Sequence, residues 1–474
     1  MSTRAIRSHV CPCQTREGGG ETRYSEVFIM RSADFLAVDD VADATWETLP
    51  KGDVGFQWTN ASVPGQPSFE LGEEAHVYRV DEADPLKIGC MWRTETGVLA
   101  VVYSADGGDT WTPPTALTYD GVRPIKNPRG AITPHRFEDG TTLMIYYNNS
   151  HTAKEGYVGR RYYWYTLGLP ANSPQNASSI MVWSEPELAL WYDGEALDER
   201  PGWNVDWAIV DGPGYVDFCE LHDGTLAFVE SNKLTLRFHK VDERILWGLR
   251  NQHKLTSPPP DCRPCVTIKS PGRNYKQRGV QLGDAQTKTG GATIVLKVAA
   301  RYDNIKPGQV IVDTREVVVA ALDEEDGGDY ITKGFYISVE GRGSDGLQMA
   351  LFMTDGWRKF RHYSDGMVWD GQDHVVTFTI DHGPRIVTMT VDERFCDGGE
   401  HNPEGWTTLD PKFGCVGGAD YKFLPDATVR HPNSGGFGGT VGEFRVYNRP
   451  LLVSECIAVS KEMKSGGGSG RSKM

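Results

Sequence analysis

The eight residues Ser104-Ala-Asp-Gly-Gly-Asp-Thr-Trp111 decide the fold. They follow the apolar run 98–103 and precede a pair of prolines. An apolar run, an Asp-Gly-Gly turn and a Thr-Trp pair together predict a β-hairpin, because glycine accepts the positive φ of a tight turn and an aspartate side chain accepts backbone N–H groups. Trp111 is then expected to fold back over the apolar base of the hairpin.

The composition favours an all-β protein of two or three domains. The chain has 474 residues, with 54 glycines, 27 prolines, 13 tryptophans and 19 tyrosines, and such a turn-rich, aromatic composition is typical of β-structure. A net charge of −15 argues against a nucleic-acid partner, which would need a basic face. The sequence contains no run of about 18 apolar residues, so no membrane span is predicted.

The cysteines do not indicate a metal site. Nine cysteines are an odd count at ordinary usage, which does not predict a disulfide scaffold. Cys262 and Cys265 form a C-x-x-C, but no second pair accompanies it, so a loop disulfide or free thiols are favoured over zinc. No cofactor is predicted from the residues. The first 21 residues lack the apolar segment of a signal peptide, and the localisation stays open.

Residues 28–255 repeat one pattern, in which short apolar strands are separated by Asp-Gly turns such as Asp139-Gly140 and Asp223-Gly224. Strands joined in this way, without helical periodicity, predict a propeller or a sandwich. A propeller blade takes on the order of 40–50 residues, so about five blades fit, and we expect the chain to begin inside a propeller with a truncated N-terminus. Residues 1–27 are polar and glycine-rich and are predicted to be a disordered lead.

The second half is predicted to form a separate β-sandwich over residues 276–460. Residues 256–275 contain three consecutive prolines and the C-x-x-C, which predicts a linker. Beyond this linker, apolar strands recur often enough to build a core of their own. Residues 461–474 end in a basic run rich in glycine and serine and are predicted to be a flexible tail.

The 104–111 stretch resembles the Asp-box, or BNR repeat, of the sialidase superfamily. The fixed positions of that motif are all matched, by Ser104, Asp106, Gly108, Thr110 and Trp111. In sialidases the motif is a structural element that ties two strands of a propeller blade together, on the side away from the active site. The resemblance therefore implies a sialidase-like β-propeller of five to six blades, with these residues in a structural role.

Two segments of the second half resemble laminin-G-like, concanavalin A-like jelly rolls. Residues 373–381 with 387–392 resemble the central hairpin of such a domain, and residues 442–451 resemble its closing strand. A propeller followed by such a lectin domain is the order found in trans-sialidases and in many bacterial exo-sialidase-like proteins, a family that is usually secreted. The resemblance implies glycans or polysaccharides as partners and leaves a structural calcium ion in the lectin domain open.

The resemblance also implies a catalytic arrangement. Sialidases hold the substrate carboxylate with three arginines, use a tyrosine activated by a glutamate as nucleophile, and use an aspartate as acid and base. Arginine forks bind a carboxylate bidentately, and a tyrosine avoids bringing an anionic nucleophile against an anionic sugar. The short Arg-Ile-Pro signature of the first sialidase arginine is absent here, and so are further clear Asp-boxes.

Candidate site residues lie where ionisable side chains interrupt or end apolar strands. The candidate arginine cluster is Arg93, Arg129 and one of the adjacent pair Arg160 and Arg161, of which Arg161 is preferred. These residues come from successive parts of the propeller. A buried ionisable group needs a partner, which makes the acids that end apolar strands functional candidates. The candidate catalytic residues are Glu230, Asp217, Glu74 and Tyr215. The candidate substrate-binding residues are Arg93, Arg129, Arg161, Asn148, Asn149, Glu187, Lys233, Arg237, His239 and His76.

Three functions stay open at this point. The main interpretation is an exo-sialidase-like glycoside hydrolase acting on terminal sugars of glycans, acidic ones included. The second is a non-catalytic carbohydrate-binding protein, with a degenerate propeller beside a lectin domain. The third is a propeller-fold polysaccharide lyase, in which His76 or His239 with a tyrosine abstracts a proton next to a uronate carboxylate. The products formed from a glycan distinguish the three.

Overall fold

The computed structural model describes residues 5–12, 25–58, 72–151, 158–173, 176, 180–192, 214–231, 236–283, 290–319, 331–341, 346–366, 369–400, 402–414, 416–425 and 436–465. This part of the chain is almost entirely β-structure, which confirms the predicted fold class. The chain divides into two compact units, Met1–His253 and Lys254–Met474. No helix in the described ranges has the length and apolar character needed to cross a membrane.

The first unit is built from antiparallel sheets whose strands follow one another along the chain. Its strands are β1 (Ala5–Pro12), β2 (Ser25–Ser32), β3 (Trp46–Leu49), β4 (Glu73–Arg79), β5 (Ile88–Arg93), β6 (Leu99–Ser104), β7 (Thr115–Ala116), β8 (Thr133–Arg136), β9 (Thr142–Tyr146), β10 (Tyr162–Leu169), β11 (Val182–Trp183), β12 (Glu187–Trp191), β13 (Tyr215–Glu220), β14 (Leu226–Ser231) and β15 (Leu236–Lys240). They form the sheets β1-β2-β3, β4-β5-β6-β7, β8-β9-β10-β11 with β12 beside β10, and β13-β14-β15.

The first strands of successive sheets are neighbours. β1 contacts β4, β4 contacts β8, and β8 contacts β13. Between the last two, Thr133 donates through Oγ1 to the carbonyl oxygen of Val216 at 2.9 Å. Inner strands of propeller blades surround a common axis in this way. The described residues of this unit contain four such sheets, where five to six blades were expected.

A helix, α1 (Glu243–Asn251), follows the last of these sheets. It begins after Asp242, whose carboxylate accepts the N–H of Arg244 at 2.8 Å and thereby caps the helix. Leu249 of this helix is buried in a core that also contains Ile145 of β9 and Phe228 of β14. The helix therefore covers the apolar face that these two sheets share.

The 104–111 segment forms a tight turn after β6. The Ser104 hydroxyl contacts Asp106 Oδ1 at 2.8 Å and accepts the N–H of Gly108 at 2.8 Å. Asp106 in turn accepts the hydroxyl of Thr110 at 2.6 Å and the N–H of Thr110 at 2.9 Å, and these two bonds, with the Ser104 contact, hold the pKa of Asp106 below its usual value. Trp111 donates its indole N–H to the Gly108 carbonyl oxygen at 2.8 Å and packs on the sheet core, as expected from the sequence.

A second turn after β2 repeats these bonds. The Ser32 hydroxyl contacts Asp34 Oδ1 at 2.8 Å, and the same carboxylate oxygen accepts the N–H of Thr45 at 2.9 Å. Trp46 follows Thr45 as Trp111 follows its threonine. The aspartate and threonine are 11 residues apart here and 4 in the later turn, so an insertion hides the pattern. The expectation of a single turn of this kind is therefore corrected to two.

The second unit is a β-sandwich. Its strands are β16 (Val266–Lys269), β17 (Lys276–Gln277), β18 (Gly291–Arg301), β19 (Val310–Asp313), β20 (Glu316–Val319), β21 (Ile331–Gly341), β22 (Leu347–Asp355), β23 (Lys359–Tyr363), β24 (Asp370–Asp381), β25 (Ile386–Val391), β26 (Arg394–Phe395), β27 (Trp406–Thr408), β28 (Tyr421–Phe423) and β29 (Thr440–Tyr447), followed by helix α2 (Val453–Ser465). One sheet is β16-β29-β18-β24-β25-β26 with β27 beside β25, and the other is β17-β28-β19-β21-β22-β23 with β20 beside β21. Both sheets contribute to one apolar core that includes Ile294, Phe335 and Phe444.

Three segments differ from the sequence-based boundaries. The predicted lead over residues 1–27 contains β1, which pairs along its whole length with β2. The predicted linker over 256–275 contains β16, which pairs with β29 and so belongs to the sandwich. The predicted tail begins at 461, yet α2 continues to Ser465 and buries Met463. In each case the local composition favours disorder, but pairing or packing with residues elsewhere in the chain gives the segment a fixed structure.

Candidate functional site

Ionisable side chains gather where the first strands of neighbouring sheets begin. β4 begins at Glu73, β13 begins at Tyr215, and Arg129 lies in the loop before β8. Arg93 ends β5 and is the direct partner of Glu73 in the pairing of β4 with β5. Because β4, β8 and β13 are neighbours, these side chains converge. We call the following residues the arginine–tyrosine cluster: Glu73, Glu74, Arg93, Glu95, Arg129, Arg160 and Tyr215.

A β-bulge turns two consecutive carboxylates toward one arginine. Successive residues of a regular strand point to opposite faces, but the pairing of β4 shifts register between Glu73 and His76, and Glu74 has a φ of 52°. The Arg93 Nη2 consequently lies 2.5 Å from Glu73 Oε2, while its Nη1 lies 3.0 Å from Glu74 Oε2. Bulges and residues at positive φ concentrate at functional sites, and this bulge sets the geometry of the cluster.

One carboxylate is shared by two arginines. Besides Arg93, Glu73 binds Arg129 through Nη2 to Oε1 at 2.8 Å and Nε to Oε2 at 3.2 Å. Arg129 also contacts Glu95, with Nη1 2.9 Å from Oε1. Burial acts to raise the pKa of Glu73, but the hydrogen bonds and charges of the two arginines outweigh burial, and the pKa lies below its usual value. Glu73 is therefore a fixed anion that holds two guanidinium groups side by side.

The third arginine of the cluster is Arg160, which is the neighbour of the predicted Arg161. Arg160 donates from Nη2 to the carbonyl oxygen of Arg129, and its charge acts on both Glu74 and Tyr215. Arg161 has an exposed side chain, and its backbone carbonyl accepts the N–H of Tyr192 at 3.0 Å. A short 3-10 turn, Val158–Arg161, precedes β10 and gives the two consecutive arginines different directions.

The Tyr215 phenol lies close enough to the Glu74 carboxylate for each group to shift the pKa of the other. Burial raises the pKa of Glu74, although Arg93 and the Tyr215 hydroxyl act against this rise. Burial and the nearby Glu74 charge also raise the pKa of Tyr215, so the phenol is protonated. Tyr215 is 46% exposed and can be reached from solvent. The pair can therefore move a proton from the phenol to Glu74 while a molecule approaches the phenol oxygen.

Glu230, predicted to be catalytic, lies in the interior. Its side chain has no exposed surface, and Arg237 binds it through Nε to Oε2 at 2.7 Å and Nη2 to Oε1 at 3.1 Å. His239 Nε2 lies 3.7 Å from the same carboxylate. Burial lowers the pKa of His239 even though the Glu230 charge acts to raise it. The structure thus groups Glu230, Arg237 and His239 as predicted, but it places the carboxylate out of contact with solvent.

Three other candidates are buried polar groups at strand ends. Asn148 is buried at a φ of 52°, and its Oδ1 accepts the Tyr119 hydroxyl at 3.3 Å. Asn149 donates to the carbonyl oxygen of Tyr147 at 3.1 Å. Glu187 begins β12 and is 1% exposed. These buried positions indicate a structural role, in which the side chains satisfy backbone and side-chain groups at the ends of strands.

The remaining candidates lie in different surroundings. His76 is on β4, and burial lowers its pKa. Asp217 is exposed and, two residues after Tyr215 on β13, lies on the same face of that strand. Lys233 lies outside the described residues.

Sequence reasoning did not select three members of the cluster: Glu73, Glu95 and Arg160. Glu73 and Glu95 each lie within two residues of a selected candidate, so proximity in sequence was the available signal. Their role depends on the bulge in β4 and on the meeting of separate loops, and neither can be read from local spacing. In the described ranges no group of three or more His, Cys, Asp and Glu side chains is placed to hold a metal ion. The structural calcium ion that the sequence left open for the sandwich is not tested by these residues.

Comparison with known proteins gives structural likenesses only. No protein-family model matches the chain, and no curated protein matches its sequence. Among solved structures, it is similar to the CBM40 of the Ruminococcus gnavus IT-sialidase bound to α2,3-sialyllactose, with 15% identity over 40% of this chain and 99% of that one, at a TM-score of 0.24.

Two further likenesses cover a larger share of this chain. For the Trypanosoma rangeli sialidase in complex with sialic acid the identity is 13% over 93% of this chain and 67% of that one, at a TM-score of 0.25. For the intramolecular trans-sialidase of Ruminococcus gnavus in complex with oseltamivir carboxylate the identity is 16% over 50% and 40%, at a TM-score of 0.28. At these identities and TM-scores the likenesses do not establish a family for this chain.

Proposed function

We propose that the first unit is a glycoside hydrolase of the sialidase type, which releases a terminal acidic sugar from glycans. The observation that carries this proposal is the position of the exposed Tyr215 phenol next to the half-buried Glu74 carboxylate, with Arg93 and Arg160 beside them. Sialidases are the glycosidases in which a tyrosine replaces the carboxylate nucleophile. A phenol that loses its proton only as it attacks brings no anion against an anionic substrate.

The reaction proceeds in two steps under this proposal. Glu74 takes the phenol proton as Tyr215 Oη forms a bond to the anomeric carbon, and the glycosidic C–O bond breaks with its electron pair going to the leaving oxygen. An acid protonates that oxygen, and Asp217, exposed on the same face of β13, is the candidate. Water then attacks the anomeric carbon and gives a proton to the Asp217 carboxylate, the Tyr215–sugar bond breaks, and the phenol regains its proton from Glu74. Sugar configuration is retained because two displacements occur at one carbon.

The arginines supply recognition of the acidic group. Arg93 brings one positive charge to the cluster, with Nη2 2.5 Å from Glu73 Oε2 and Nη1 3.0 Å from Glu74 Oε2. Arg160 brings a second positive charge to the Tyr215 side of the cluster. Hydrogen bonds from arginine to a carboxylate each contribute about 1.5–3 kcal/mol. A neutral sugar lacks this term and is expected to bind much more weakly.

The test is hydrolysis of a fluorogenic α-sialoside by the full chain, with a fluorogenic galactoside as the neutral control. Tyr215→Phe is expected to abolish release of the fluorophore and to leave the affinity for free sialic acid unchanged. Because burial raises the pKa of Glu74, the acid limb of the rate profile is expected above the ordinary glutamate pKa of 4.5. Equal turnover by wild type and Tyr215→Phe would contradict the proposal.

A second candidate function is binding without turnover. It is favoured by the absence from the sequence of the Arg-Ile-Pro signature that carries the first sialidase arginine. This alternative predicts sialic acid affinity without release of any product. The lyase alternative predicts a product with an unsaturated bond that absorbs ultraviolet light, so the same reaction mixtures distinguish all three. For the sandwich we propose glycan binding, which the isolated second unit tests by the same affinity measurement.

A further inference from the structure

The backbone just before Tyr215 is held from two sides. The N–H of Gly214 donates to Glu230 Oε1 at 3.1 Å. The carbonyl oxygen of the same residue accepts the hydroxyl of Tyr163. Both hydrogen-bonding groups of Gly214 are therefore engaged by side chains that come from other strands, β14 and β10. Fixing the peptide groups on both sides of Gly214 limits where the next side chain can point.

Glu230 cannot itself contact a sugar bound at Tyr215. It is the direct partner of Val216 on β13 and of Arg237 on β15, so these three side chains share one face of the sheet. Tyr215, one residue from Val216, lies on the opposite face. The bidentate contact with Arg237 balances the Glu230 charge in an interior where a single carboxylate would be unstable. Glu230 is thereby a rigid anchor for the Gly214 amide.

Tyr163 connects the same backbone point to the loop of Arg129. Its hydroxyl accepts that of Tyr147 at 3.0 Å, and the two rings are stacked with centroids 4.4 Å apart. The Tyr147 ring in turn packs on Gly130, where an added Cβ would lie 2.3 Å from Cε2 of the ring. Arg129 precedes Gly130 in the chain. A buried ladder of two tyrosines thus joins the loop that carries Arg129 to the strand that carries Tyr215.

We infer that Glu230 and Tyr163 are positioning residues, which fix Gly214 and thereby hold the Tyr215 hydroxyl against Glu74. This inference rests on the proposed function for its kinetic consequence and on the hydrogen bonds of Gly214 for its geometry. Misplacing a reacting group by about 1 Å lowers rates by up to roughly 100-fold. We expect the loss on the chemical step, because the hydrogen bonds from both residues act on Gly214, next to Tyr215.

The kinetic test uses Tyr163→Phe, which removes one hydroxyl and keeps the ring stacked on Tyr147. We expect kcat for the fluorogenic sialoside to fall roughly 10- to 100-fold with an unchanged KM. The matched control is Tyr165→Phe, which removes a buried hydroxyl two residues further along the same strand and core. It is expected to leave both constants at the wild-type values. Equal effects of the two variants, or a Tyr163→Phe effect confined to KM, would overturn the inference.

A second readout does not depend on turnover. With 3-fluorotyrosine incorporated throughout, the ¹⁹F resonance of Tyr215 is assigned as the one that Tyr215→Phe removes. Tyr163→Phe and Glu230→Gln are both expected to shift this resonance, and Tyr165→Phe is not. A wild-type chain without turnover would refute the proposed function, while the resonance would still test the positioning. An unshifted resonance in a folded Tyr163→Phe would refute the positioning, whatever the activity.

Discussion

Replacing Glu73 by glutamine is expected to destabilise the first unit and to strengthen its binding of an acidic sugar. Glu73 is the carboxylate that Arg93 and Arg129 share. Glutamine has the same shape but no charge, so both guanidinium groups lose their common counter-ion while the packing is kept. The two expected effects have opposite signs, which separates this prediction from a general loss of structure.

The magnitude follows from burial. The side chains of Glu73, Arg93 and Arg129 are 24%, 10% and 24% exposed. Removing one partner of a fully buried ion pair costs about 3–5 kcal/mol, and an exposed pair contributes about 0–1 kcal/mol. Each arginine keeps a second acid, Glu74 or Glu95, so we expect a loss of about 2–3 kcal/mol. For a domain of this size that lowers the melting temperature by roughly 4–12 °C.

The assay combines thermal unfolding with titration calorimetry of sialic acid. The donors released from Glu73 are expected to raise the affinity roughly tenfold, which corresponds to about 1.4 kcal/mol. Glu82→Gln is the matched control, because its ion pair with Arg136 is 38% and 34% exposed and is expected to contribute about 0–1 kcal/mol. The reasoning is refuted if Glu73→Gln has the same melting temperature as Glu82→Gln. It is also refuted if Glu73→Gln is folded but binds sialic acid more weakly than the wild type.

Three further predictions concern the fold. Asp34→Ala and Asp106→Ala should each lower the melting temperature, because each removes the acceptor of its turn. Sugar affinity should not change, since the Asp106 turn lies at the end of β6 away from Arg93. A folded variant that loses sugar binding would contradict this prediction. Asp392 and then Asp370 raise the pKa of His374, so the stability it contributes is fully present below pH 6.5 and is lost as pH rises through the raised pKa. His374→Gln should cost about 1.5–3 kcal/mol below that pH and less above it, measured by urea unfolding against pH; a pH-independent difference would argue against the pair. The fragment 254–474 should unfold cooperatively on heating, whereas the fragment 276–460, which lacks β16 and the end of α2, should not. Equally cooperative thermal unfolding of the two fragments would show that neither segment is needed.

Local sequence was sufficient wherever one turn or one strand decides the structure. The 104–111 turn is specified by residues that bond to one another within it, so its hydrogen bonds could be expected without knowing the rest of the chain. The turn at Ser32 has the same bonds, but its insertion breaks the spacing on which recognition depends. The all-β class likewise follows from composition alone. Strand β16 does not, because it exists only through its pairing with β29.

The sequence predicted the residue types of the candidate site, which are arginines, carboxylates and a tyrosine, better than it predicted the individual residues. Arg93, Arg129, Glu74 and Tyr215 were selected because they end or begin apolar strands, and the structure brings them together. Arg161 was preferred to its neighbour Arg160, because the sequence does not show which of the two side chains the 3-10 turn directs toward the cluster. Glu230 was selected because an acid in an apolar strand needs a partner, and that reasoning holds equally for an interior ion pair with Arg237.

Glu73 also bears on how the cluster distinguishes ligands. Without an anion between them, two neighbouring guanidinium groups repel one another, a repulsion that Glu74 beside Arg93 and Glu95 beside Arg129 offset only in part. Glu73 keeps Arg93 and Arg129 in place before any ligand arrives. The carboxylate of an acidic sugar then replaces part of the contacts between Glu73 and the arginines. This exchange lowers the affinity for the sugar, but the free energy of bringing the arginines together is already supplied. A neutral sugar cannot replace the Glu73 contacts and gains nothing from them. Under the proposed function, the shared carboxylate therefore favours discrimination between acidic and neutral sugars over tight binding.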